Sequence, residues 1–361
     1  MDTKQLMQQI KLNCTISDAQ FWGYYSICGL LLRLRELYRN EQSLMPWDEI
    51  PRGDISEWIA SAEAQWKVLE HHPLRPLKIG DRLYDPFEVD GLNDLLSAQG
   101  LVYGGGYGRF NKPTFFLAHL LEIAERGDYR IYYAGRELCR DLSTSVAMLQ
   151  GRCVFMRLDS LKILLWDKLQ ELRSRKFRGV LGEAFASYGI EGPLFSPEDL
   201  PAKIDSLASR LSDLFILHEL GEAFEDEYAD EWLSILSHNQ DRATEFYVRG
   251  IKDLLADTSE KGPLKWATNS MDIPLLNFYM VFMDGLRKEM FPEMVTAFQN
   301  FMENREWSLI ERARMKGYEK ASQLRGHVLR LWREGKGDTL GTSIKECLSD
   351  PSRAQRLKPA G

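Results

Sequence analysis

Residues 188–197, YGIEGPLFSP, divide the chain into two kinds of pattern, and this division limits the possible folds more than any other feature. On the C-terminal side every periodic signal is helical. SPED at 196–199 puts a serine at a cap, a proline at the first helical position and acids in the first turn. The spacing predicts helices over 197–225, 228–236, 240–256, 273–303 (with a break near Pro292) and 305–334. On the N-terminal side the pattern is mixed. Ser17 with Gln20 resembles a capping box, and Phe21, Tyr24, Tyr25, Cys28, Leu31, Leu32 and Tyr38 follow at helical spacing. A second helix is predicted over 55–70, followed by a Pro-, Gly- and Asp-rich stretch at 71–91 that reads as an irregular connection.

The middle of this N-terminal half carries strand chemistry. Tyr129, Ile131 and Tyr133 alternate after the turn signal Arg126-Gly127-Asp128. The alternation of Phe115, Leu117, His119, Leu121 and Ile123 predicts a hairpin partner over 114–124, and CVFMRL at 153–158 adds a possible third strand. The expected fold is therefore mainly α and multi-helical, with a small antiparallel β element in the N-terminal half. Three regions are expected: a mixed domain over 1–195, an all-helical domain over 196–340 and a polar tail over 341–361.

Charge and cysteine usage exclude several function classes. A net charge of −7 and a pI near 5.6 oppose nucleic acid and anionic membrane as partners, because both require a basic face. The five cysteines are scattered and never spaced as CxxC, which fits free thiols in a reducing compartment. MDTKQLMQQIKLNCTIS shows no basic segment followed by an apolar run, and the longest apolar run, YYSICGLLL, is too short to span a bilayer. The expected location is the cytoplasm.

Two stretches hold residue types that do chemistry. The first is FILHELGEAFEDE at 215–227. On a helical wheel with Leu214 as origin, Leu217, Gly221, Phe224 and Tyr228 lie within about 80° on one side; His218 and Glu225 lie within about 40° on the other, with Glu222 at about 80°. His218, Glu222 and Glu225 thus line the margin of a buried stripe. A histidine and a carboxylate four residues apart can share one ion, and imidazole with carboxylates suits Zn, Fe or Mn. The stretch departs from HExxH, because Glu222 stands where the second histidine belongs, so further ligands have to come from elsewhere. By residue type, His238 and the pair His119/Glu122 are the candidates. The competing expectation is a structural cluster in which Glu222 or Glu225 meets a basic or hydroxyl partner.

The second stretch is YGGGYGRFNK at 103–112. Gly104, Gly105, Gly106 and Gly108 permit a nest of backbone N–H groups, with Arg109 and Lys112 adding positive charge for an anion. A Walker pattern is absent, and FNKP follows where a dinucleotide site needs a helix, so a mobile, solvent-exposed turn is the main expectation. No nucleophile elbow or catalytic cysteine signature is present. His71 and His72 read as favourable charges at a helix end.

In the helix expected over 305–334, Ile310, Gly317, Ala321, Leu324, Val328 and Leu331 form a near-heptad stripe, which suits either the chain's own core or self-association with a protein partner. Two functions are compatible with these features. One is a cytosolic helical scaffold or interaction protein without catalytic activity. The other is a metal-dependent enzyme centred on HELGE.

Overall fold

The structure, a computed structural model, describes residues 2–51, 53–174, 179–191, 198–238, 242–283 and 285–349. These separate into two compact units, Met1–Asp167 and Lys168–Gly361. The boundary expected after residue 195 falls among residues 192–197, which lie outside the described residues together with the Ser196–Pro197 start signal.

In the N-terminal unit, α1 (Thr3–Phe21) begins where the Asp2 carboxylate accepts the backbone N–H groups of Lys4 and Gln5. Helix α2 (Ile27–Glu41) is capped by the Ser26 hydroxyl, which accepts from the Gly29 N–H. The start expected at Ser17 is corrected. Ser17 is buried inside α1 and donates its hydroxyl to the Pro113 carbonyl, a partner from a distant segment that local spacing cannot reveal. Helix α3 (Asp54–Leu69) follows the expected span. The segment read as irregular contains a hairpin, β1 (Leu77–Ile79) with β2 (Arg82–Tyr84), turned at Gly80 with φ +61°. Helix α4 (Val89–Leu96) comes next.

The β element is larger than a hairpin. Strands β3 (Leu101–Tyr107), β4 (Pro113–Arg126), β5 (Tyr129–Arg140), β6 (Ala147–Gln150) and β7 (Cys153–Arg157) form one sheet in the order β3-β4-β5-β7-β6. All neighbours are antiparallel except β5 and β7, which run parallel. The β4–β5 ladder is the predicted hairpin, closing with Arg126 opposite Tyr129, and CVFMR supplies β7. Register shifts between Leu117 and Glu122 bend β4. Strand β3 pairs only with residues 113–119, about half of β4. Leu6, Ile10 and Cys14 of α1 and Leu92 and Leu96 of α4 pack with Tyr103, Phe115, Phe116 and Phe155 of the sheet to form the core.

The glycine run is not a mobile turn. Gly104, Gly105 and Gly106 lie buried in β3, paired with Phe116, Phe115 and Thr114. A Cβ at Gly104 would fall 2.0 Å from the Phe116 ring, at Gly105 2.6 Å from the Pro86 carbonyl, and at Gly106 1.8 Å from the Gln150 amide. Neighbouring bulk selects glycine here, and no unusual backbone conformation is involved. Their φ values are not positive.

Helix α5 (Leu158–Ser174) contains the division between the units. In the C-terminal unit the regular elements among the described residues are all helices. It comprises α6 (Gly179–Ala186), α7 (Leu200–Phe224), α8 (Ala229–His238), α9 (Arg242–Thr258), α10 (Pro263–Ser270), α11 (Ile273–Phe282), α12 (Leu286–Met290), α13 (Pro292–Asn304), α14 (Trp307–Arg333) and α15 (Leu340–Ser349). The stretch expected to be helical over 273–303 with a break near Pro292 is three helices: one starts at Pro292 as expected, and Gly285 at φ +50° adds a further break. Of the stretch 341–361 read as a tail, the residues to Ser349 are helical, with Ile344 buried; 350–361 lie outside the described residues. The chain is mainly α. No helix among the described residues is long and apolar enough to cross a membrane.

Candidate metal centre

Helices α7 and α9 approach unusually closely at Gly221. A Cβ there would stand 2.3 Å from the Ala256 carbonyl oxygen, so any larger residue would push the helices apart. Each helix presents a polar pair at i and i+4 beside this contact: His218 and Glu222 on α7, Asp253 and Asp257 on α9. His218 faces Asp257 across the contact, and Glu222 groups with Asp253.

One nitrogen, one Glu222 oxygen and one Asp253 oxygen lie within 4.8 Å of one another. His218 Nδ1 is 2.7 Å from Asp257 Oδ1, while its Nε2 is 4.0 Å from Asp253 Oδ1. An ionised carboxylate only accepts, so Nδ1 carries the proton toward Asp257 and Nε2 is the atom turned to Asp253 and Glu222. Asp257 is buried and held in turn by the Tyr279 hydroxyl, 3.2 Å from Oδ2, with Arg287 Nη1 at 3.9 Å. Among the described residues, neither the Glu222 nor the Asp253 side-chain carboxylate has a hydrogen-bond donor, whereas the Glu222 backbone carbonyl accepts the Glu225 N–H.

The electrostatics follow from this placement. Burial alone would lower the His218 pKa, but the Asp257 carboxylate outweighs it, helped by Asp253 and Glu222, and the value rises to about 10. Burial raises Asp253 above the usual carboxylate range, against the pull of His218 and Arg287. Without a metal, the cluster therefore holds an imidazolium among three carboxylates. To hold a metal ion, the site would need Nε2 unprotonated, with Glu222 and Asp253 as the oxygen donors.

Of the three predicted ligands, the structure brings together His218 and Glu222 but not Glu225. Glu225 caps the end of α7 and is fully engaged elsewhere: Oε1 accepts the Tyr318 hydroxyl at 2.8 Å and Oε2 accepts Arg325 Nη1 at 2.7 Å. This is the basic and hydroxyl pairing expected of a structural acid. His238 is exposed, packs its ring on Trp332 and lies 3.8 Å from Asp338. His119 and Glu122 are exposed on β4 of the N-terminal unit. The residues missed were Asp253 and Asp257. Their signal was DLLAD, two acids at i and i+4 in the helix already predicted over 240–256.

The second candidate does not assemble as a nest. The backbone of Gly104, Gly105 and Gly106 belongs to the β3–β4 ladder. Gly108 and Arg109 lie in the turn that follows, which includes Phe110 and Asn111 at positive φ. Lys112 is buried, its Nζ 2.9 Å from Asp18 and 3.3 Å from Asp141. Burial lowers its pKa, but Asp141 and Asp18 more than reverse this and raise it. Asp18 is pushed up to about 7 by burial, opposed by Lys112. Lys112 thus ties α1 to the sheet and is not available to an external anion.

Two family models match the chain. One, described as the N-terminal domain of a family of unknown function (DUF6866), matches residues 5–157; the other, the C-terminal domain of the same family, matches residues 162–350. Neither the curated proteins nor the solved structures contain a match.

Proposed function

We propose, given that the chain belongs to the DUF6866 family of unknown function, that its C-terminal unit binds a divalent transition-metal ion through His218, Glu222 and Asp253. The observation that carries this is the convergence of three potential ligand atoms within 4.8 Å, with His218 Nδ1 anchored on a buried carboxylate. Ligands around zinc stand about 3.3 Å apart, so rotamer adjustments of about 1 Å close the site. An imidazole that donates one N–H to a carboxylate and offers its other nitrogen is the usual arrangement of a metal-binding histidine. Zn, Fe and Mn all suit one nitrogen and two oxygens. Three protein ligands leave a coordination position for water or substrate, which supports a metal-dependent hydrolytic or hydration reaction.

The test is titration of the chelator-treated full chain with Co²⁺ and Zn²⁺, read by visible absorption and by melting temperature. About one equivalent should bind, and His218→Ala and Asp253→Ala should each abolish it. Equal binding by the wild type and both variants would remove the proposal.

A second reading, a protein-interaction role without catalysis, is favoured by one observation. Ile27, Leu31 and Leu32 on α2 are 81%, 51% and 61% exposed, an apolar strip on one helix. Of the two expectations for the stripe on the 305–334 helix, burial supports the chain's own core over self-association. Ile310, Ala321, Leu324 and Val328 are buried within the C-terminal unit. Sedimentation of the wild type against Leu31→Glu tests the α2 strip, and a monomer at all concentrations would count against self-association through it.

A further inference from the structure

Two adjoining cavities in the N-terminal unit lie between α2, the 42–48 turn, β5 and the start of α5. The outer is about 290 Å³ and the inner about 40 Å³. They share Asn40, Leu44, Met45, Glu137, Asp159 and Lys162 as walls. Leu121 and Gly135 of the sheet border the outer one, while the inner ends on Glu36, Arg39 and Arg140.

Arg140 is the anomaly. Its side chain is 1% exposed, yet neither Nε nor Nη1 has a hydrogen-bond partner. The nearest carboxylate oxygen, Glu137 Oε2, is 3.6 Å from Nε, too far for a good bond. Glu137 is committed to Arg157, whose Nε lies 2.7 Å from Oε1, with the Ser160 hydroxyl at 3.3 Å from the same atom. Arg39 Nε is likewise without a bond, although its Nη1 donates to the Met45 carbonyl at 2.8 Å. The recess thus sets Arg39, Arg140 and Lys162 against Glu36, Glu137 and Asp159, so its charges balance and what is left unmet is the hydrogen bonding of Arg140 and Arg39. Buried donors left unmade are costly and are normally satisfied by protein, water or ligand.

We infer that this cleft binds a small monocarboxylate, its carboxylate in the inner recess against Arg140 and its tail in the outer cavity against Leu44, Met45 and Leu121. A guanidinium edge offering two N–H donors matches a carboxylate in shape as well as charge. The inner recess holds a group of that size but little more. A phosphate dianion fits less well, because Glu36 and Glu137 already place negative charge beside the recess. Burial raises the Glu36 pKa, opposed by Arg39 and Arg140. This site lies in the other unit from the metal centre and does not depend on it.

The probe is hexanoate, compared with hexanamide and inorganic phosphate at matched ionic strength, using the full chain. Hexanoate at about a hundredfold excess over its Kd should raise Tm by about 5 °C. Hexanamide and phosphate should not. Arg140→Met, which removes the unsatisfied donors at similar volume, should keep the fold and weaken hexanoate binding more than about tenfold. Leu121→Trp, a change at an exposed position that narrows the outer cavity, should weaken binding with Arg140 intact and decides the matter if Arg140→Met fails to fold. No response to hexanoate would mean that only water fills the recess and would overturn the inference. So would an equal response to hexanamide or phosphate, or hexanoate binding undiminished in both variants.

Discussion

The imidazole of His218 and the carboxylate of Asp257 stand 2.7 Å apart, joining α7 to α9 beside the point where Gly221 meets the Ala256 carbonyl. The pair gives the histidine one fixed tautomer and orientation, so that its other nitrogen faces Glu222 and Asp253. What a metal would need is thus arranged by a residue that does not itself join the ligand set.

Asp257→Asn should therefore weaken metal binding without abolishing it, by about 10- to 100-fold. Competition against a chelator of known affinity measures this. Loss of all binding would make Asp257 a ligand, and no change would make it irrelevant to the site.

Metal binding should strengthen with pH. Protons compete for His218 Nε2, whose pKa is raised to about 10, so each unit of pH below that value lowers the apparent affinity about tenfold. Between pH 6 and 8 the apparent Kd should fall about 100-fold. The metal-free protein has the opposite trend. A folded pKa above the unfolded value of about 6.5 gives stability that is full below pH 6.5 and is lost as pH rises through 10. Melting of the chelated protein across pH 7–10 should show this loss, and His218→Ala should flatten it.

Gly104→Ala should destabilise the N-terminal unit by about 1–3 kcal/mol, because the new methyl meets the Phe116 ring. Gly108→Ala, whose Cβ would find nothing nearer than 3.8 Å, should stay within about 0.5 kcal/mol. Urea unfolding of the two variants separates a crowded strand from a permissive turn; similar costs for both would contradict the packing described.

Lys112→Met should cost about 3–5 kcal/mol, since it leaves Asp18 and Asp141 buried without their cation. The loss should shrink as pH falls below about 7, where the wild-type Asp18 takes up a proton. Denaturant melts at pH 5 and 8 test both statements.

The parts of the fold visible in the sequence were those set by local periodicity. Tyr129, Ile131 and Tyr133 gave the hairpin, and the helical stripes gave most of α7 to α14. What remained hidden depended on partners far along the chain. The three glycines of β3 looked like a turn by composition, and only Phe116, Pro86 and Gln150 reveal why side chains are excluded. Glu225 shared a wheel margin with His218, but Tyr318 and Arg325, about a hundred residues on, claim it. Two of the four residues in the polar cluster, His218 and Glu222, were legible in HELGE. The other half required knowing that α9 lies against it.

The short reach of β3 leaves a consequence at the other end of β4. Beyond His119, residues 120–126 of β4 pair with β5 on one side, while in this unit no described strand covers the other. The last bond across that side is from the Leu120 N–H to the Gly100 carbonyl. Leu121 and Ile123 are exposed there, so the segment combines strand propensity with apolar side chains and open backbone groups, the ingredients of edge-to-edge aggregation. Glu122 stands between them, and Glu125 follows two residues after Ile123. A copy of the same segment arriving parallel and in register would bring its own glutamates against these, and the repulsion opposes templated growth.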